Sequence, residues 1–133
     1  MLIRCMKLFL IVVFSALVNL NSDDLINSVW SHHINSKCVN TLTFKSNGLV
    51  LEYDCELDYA FHSSYKVKGD TIIIKGKDDS HSEDNGKINL YWITTYLKKG
   101  TALYVIESKT CDHGKWTNRN IKPHNTPEYS RIK

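Results

Sequence analysis

The stretch "TLTFKSNGLVLEYDCELDYAF", residues 41–61, alternates apolar and polar side chains on both sides of a short polar break. A period of two belongs to strands with one buried face, because successive side chains point to opposite sides. Ser46-Asn47-Gly48 lies between the two runs and is a hairpin signal. The pattern continues in "FHSSYKVKGDTIIIKG", where Phe61, Tyr65 and Val67 share a side, and Ile72 and Ile74 return to it after Gly69-Asp70. Lys66 and Lys68 are expected to point outward. "KINLYWITTYLKKGTALYVIE" gives two more strands around Lys98-Lys99-Gly100, each apolar on both faces. A cover for the second face is therefore expected, from a helix, a loop or a partner.

These runs predict an all-β domain, a small antiparallel meander of six to eight strands forming a barrel or a sandwich. "DDLINSVW", residues 23–30, is the one place for a short helix, with Asp23 or Asp24 as its cap. The stretch "KDDSHSEDNG", residues 77–86, is a polar loop, and "KTCDHGKWTNRN" after Ser108 reads as loop as well. The last residues hold both prolines and few core formers. The expected organisation is a leader at 1–22, a β-barrel domain at 23–116 and a mobile C-terminal tail at 117–133.

The leader follows from the order of its features. Arg4 and Lys7 precede the apolar run "LFLIVVFSALV", and polar "NLNSDD" follows it. The apolar run is short for a membrane span and suits an export signal cleaved near Ser22, with no stable span afterwards. Without Arg4 and Lys7, fifteen basic residues face fourteen acidic ones, a net +1. So balanced a domain gives no electrostatic reason to expect nucleic acid as a partner. Export to the periplasm or beyond permits disulfides.

Cys5 leaves with the leader, so Cys38, Cys55 and Cys111 remain. A two-residue loop at Ser46-Asn47 would place Cys38 opposite Cys55. An Asn47-Gly48 loop would set them diagonally on one face, and a three-residue loop would separate their faces unless a bulge restored them. A Cys38–Cys55 bond is the pairing expected, and a bridge to Cys111 is the alternative. The same register puts Leu51, Tyr53, Cys55, Leu57, Tyr59 and Phe61 on the core side. Glu52, Asp54, Glu56 and Asp58 then form a solvated face, since buried unpaired carboxylates cost several kcal/mol each.

No catalytic constellation appears. His32 and His33 are adjacent and would point to opposite faces of a strand. Cys111-Asp112-His113, with His124, has ligand types for Zn or Cu, but not the spacing of a zinc pair. No phosphate loop, Gly-x-Ser-x-Gly or His-Glu-x-x-His is present. The expectation is a non-enzyme without metal or cofactor.

One resemblance sharpens the fold. Trp30, Cys38, "TLTF", the turn with Gly48, "YKVKGDTI" and the later strand bearing Trp92 stand in an order that resembles the small secreted lipocalin-like proteins of bacteria. The resemblance runs from about Trp30 to Ile106. It implies a meander closed into a lipocalin-like barrel. Separately, the aromatic residues at strand positions give the expectation of a secreted or periplasmic monomer that binds a small apolar or amphipathic ligand, with Tyr53, Phe61, Tyr65, Trp92, Tyr96 and Tyr104 as candidate ligand-binding residues. The alternatives are that these rings simply fill the barrel, or that the protein is an interaction module, such as an inhibitor or an envelope accessory protein.

Overall fold

The structure is a computed structural model and describes residues 24–80, 88–121 and 126–133. The expected leader at 1–22, most of the polar loop at 77–86 and His124 lie outside the described residues. The strands are β1 (Val29–Asn35), β2 (Cys38–Phe44), β3 (Leu49–Asp54), β4 (Tyr59–Lys68), β5 (Thr71–Lys77), β6 (Leu90–Lys99), β7 (Ala102–Asp112), β8 (Lys115–Asn118) and β9 (Tyr129–Arg131). Each of β1 to β7 pairs antiparallel with the next. The short β9 lies between β1 and β7 and closes the ring, which makes an eight-stranded antiparallel barrel. β8 folds back on the far half of β7.

Closure corrects the expectation for the C-terminus. The stretch expected as a tail at 117–133 supplies the eighth barrel strand. Trp30 pairs with Arg131, and Leu103 with Tyr129. Two prolines and few aliphatics hid a strand of only three residues. The loop expected after Ser108 is also a strand, because β7 runs on to Asp112. His113 and Gly114 then turn it into β8 at φ +48° and +81°, the left-handed region that two-residue hairpin loops need.

One end of the barrel is sealed. Residues 24–27 form a turn rather than the expected helix, with Asn27 at φ +65°. That turn drops Leu25 into the barrel end, where it is fully buried with Trp30, Leu42, Phe44, Ile72 and Leu103. Burying each such side chain contributes about 1.5–3 kcal/mol. Ser28 Oγ donates to Leu25 O and accepts from Trp30 Nε1 at 2.9 Å, so the buried polar groups of the plug are satisfied. Asp24 is held from outside by Lys98 and Arg131, at 3.4 and 3.3 Å.

The β2–β3 hairpin overturns the expected register. Phe44 pairs with Val50, and Lys45 N–H donates to Leu49 O at 2.7 Å. The loop therefore has three residues, Ser46–Gly48, with Asn47 at φ +63° and Gly48 at φ +72°. An odd loop sets even residues opposite even ones. Val50 and Glu52 join Leu42 and Phe44 on the inner side, while Leu51 and Tyr53 turn outward. Leu57, expected in the core, is 63% exposed in the β3–β4 turn.

Cys38 and Cys55 nevertheless form a disulfide, with Cα atoms 5.5 Å apart. The ladder ends at Thr41–Tyr53. Beyond it, Asn40 Oδ1 accepts the Cys55 N–H at 2.9 Å, and Asp54 Oδ1 accepts those of Glu56 and Leu57. These bonds draw the chain out of register and bring Cys55 to Cys38. Cys111 is free and buried.

Candidate functional site: the open mouth of the barrel

At the end opposite Leu25 the inward positions change character. His32, Asn40, Glu52, Asp54, Trp92, Thr94 and Thr110 are each only partly buried. Register places them inside: Asn40 opposes His32, Glu52 opposes Leu42 and Phe61, and Thr94 opposes the fully buried Ile74. The packed half is apolar. This half is polar and aromatic and reaches solvent, so it is the mouth. The Cys38–Cys55 bond staples two of its rim turns together.

Glu52 lies at the base of the mouth and is largely buried. Its Oε2 accepts two hydrogen bonds, from Ser63 Oγ at 2.5 Å and from Trp92 Nε1 at 2.8 Å. Desolvation pushes its carboxyl above the usual carboxylate range, and these two donors oppose the shift. Two donors on one oxygen explain how a carboxylate stands where the sequence forbids an unpaired one.

The indole that serves Glu52 is seated by a glycine. Gly76 opposes Trp92 across β5 and β6. A Cβ at Gly76 would fall 2.1 Å from Trp92 Nε1, inside the ring's own volume. The absent side chain is the space the indole occupies.

Two clusters of aromatic rings line this half of the barrel. In one, Phe61 meets Trp92 edge to face at 5.2 Å and Tyr59 at 5.0 Å. In the other, Tyr129 meets Tyr96 at 6.0 Å and His32 at 5.7 Å. The phenols of Tyr96 and Tyr129 are both raised, by burial first and then by neighbouring charge that includes Glu52, and both are neutral at physiological pH.

Of the six residues expected to touch a ligand, Phe61, Trp92 and Tyr96 face this half of the lumen. Tyr65 points inward too, but in the sealed half, against Phe44 and with its hydroxyl donating to Lys45 O at 2.9 Å. Tyr53 and Tyr104 are on the outer face. Tyr53 donates to Asp58 at 2.8 Å, and Lys99 Nζ lies 5.5 Å from the Tyr104 ring. Sequence reasoning missed Glu52, His32 and Tyr129. The length of the β2–β3 loop held the signal for Glu52, while Tyr129 had none beyond being aromatic.

Among the described residues no group of three His, Cys, Asp or Glu is placed to hold a metal ion. Cys111 opposes Tyr91 and Trp116 on the outer face, and His113 pairs with Asp112 in the β7–β8 turn. No helix among the described residues is long and apolar enough to cross a membrane. Comparison with family models, with curated proteins and with solved structures finds no match. The barrel is the architecture that the lipocalin-like resemblance implies, and it is compatible with a binding protein.

Proposed function

We propose that this chain is an extracytoplasmic, non-enzymatic binding protein that takes a small amphipathic molecule in the mouth half of its barrel. One observation carries the reading: the residues packed with Leu25 are fully buried, while inward-facing His32, Asn40, Glu52, Trp92 and Thr94 are partly exposed. The disulfide and the export-like leader sequence support a location outside the cytoplasm. The uncharged dye Nile red tests the site. Its emission should rise and saturate on the intact protein, and Thr94→Trp, which fills the mouth, should weaken binding. No saturable response would overturn the proposal.

A second reading has its own observation. Tyr91, Ile106 and Trp116 on the outer face of β6 to β8 are 42%, 50% and 51% exposed. Tyr91 and Ile106 stand on the strands whose second apolar face is expected to be covered by a helix, a loop or a partner. The protein-interaction role would use it. Under that reading Nile red emission rises without saturating, and Trp116→Ser diminishes it.

A further inference from the structure

The ligand class can be narrowed from the Glu52 carboxylate, on the footing that the mouth binds small molecules. Both hydrogen bonds to Glu52 end on Oε2. Oε1 accepts none, yet it is not among the sealed, unsatisfied side-chain oxygens, where only Asp79 Oδ1 stands among the described residues. Oε1 therefore reaches the mouth. No Lys, Arg or His among the described residues pairs with Glu52. Among the described residues the groups that shape its environment are a hydroxyl, an indole N–H and burial, with no cation. Trp92 bonds to it, Phe61 opposes it on β4, and the phenols of Tyr96 and Tyr129 lie close enough to feel its charge.

A carboxylate with one open oxygen, no counter-ion among the described residues and aromatic rings near it suits an organic cation. An ammonium donates to the open oxygen and is attracted by the ring quadrupoles. An anion would meet an uncompensated carboxylate. A neutral apolar ligand would leave Oε1 buried and unmatched, which costs binding free energy.

We propose that the barrel mouth selects a small organic cation with an aromatic or amphipathic body, whose ammonium pairs with Glu52 Oε1 while the body lies against the Trp92 and Tyr129 clusters.

Tryptamine and tryptophol test this, because they share one body and differ in carrying an ammonium or a hydroxyl. Titration calorimetry at neutral pH should show tryptamine binding at least about tenfold more tightly than tryptophol. In Glu52→Gln the preference should vanish, while the far-ultraviolet circular dichroism and the cooperative unfolding transition of the natural protein persist and show that the barrel is intact. Equal affinity in the natural protein, or an undiminished preference in Glu52→Gln, overturns the cation assignment and leaves the binding proposal standing if Nile red saturates. Failure of all three probes sinks both.

Discussion

Trp92 Nε1 donates a 2.8 Å hydrogen bond to Glu52 Oε2 across forty residues of sequence, from β6 to β3. β4 and β5 lie between those strands in the sheet, so the bond crosses the lumen side of the barrel wall. It fixes both the ring at the mouth and the oxygen left open beside it.

The buried carboxyl has a pH signature. Burial raises the Glu52 carboxyl, so the folded protein holds the proton where the unfolded chain has released it. The stability this brings is complete below the unfolded value and is lost as pH rises through the folded one. Glu52→Gln never ionises. Its stability relative to the natural protein should therefore improve as pH rises above the ordinary carboxylate range, about 4, as read by urea unfolding at each pH. A gap moving the other way would mean that the donors outweigh desolvation.

Gly76→Ala should displace the Trp92 indole. Overpacking of this kind typically costs about 1–3 kcal/mol, and here the methyl lands on Nε1 itself. The expected result is a lower unfolding midpoint together with a shifted Trp92 indole N–H resonance. An unchanged resonance would show that the ring is seated elsewhere.

Replacing both Cys38 and Cys55 with Ala opens a link that spans 17 positions. The chain-entropy model puts the loss at about 3 kcal/mol, measurable by urea unfolding. Peptide mapping without reductant should recover Cys38 joined to Cys55 and Cys111 free. A Cys111 cross-link would contradict the rim geometry.

Deleting residues 129–133 removes β9 and the backbone bonds that Val29 exchanges with Ile132 and Lys133. The barrel then has two unpaired edges, and the plug loses the Arg131 contact to Asp24. A truncated chain should lose its cooperative thermal transition. Retention of the full transition would return this segment to the role of a tail.

The sequence made the meander legible because Phe61, Tyr65, Ile72 and Ile74 keep strict alternation about a two-residue turn, and all four are buried as read. It misled at Glu52 because a single residue in the Ser46–Gly48 loop inverts the facing of all of β3, and alternating "LVLEYD" is apolar on either side. The Cys38–Cys55 pair was found through a register that does not exist. The disulfide forms because the ladder breaks before it. Ring closure by β9 was illegible, since three residues carry no periodicity and their partners are remote. The mouth was half legible: Phe61, Trp92 and Tyr96 follow from alternation, but the carboxylate that gives them a purpose was read as wet surface.

The three tryptophans divide the molecule and give the most direct test. Trp30 is buried in the sealed half, Trp92 stands at the mouth and Trp116 is half-exposed outside. Their indole N–H resonances, followed in a two-dimensional nitrogen–proton spectrum during a tryptamine titration, separate the sites. The account predicts a saturable shift of Trp92, with Trp30 and Trp116 unmoved. A shift confined to Trp116, or none at any indole, would contradict binding in the barrel mouth.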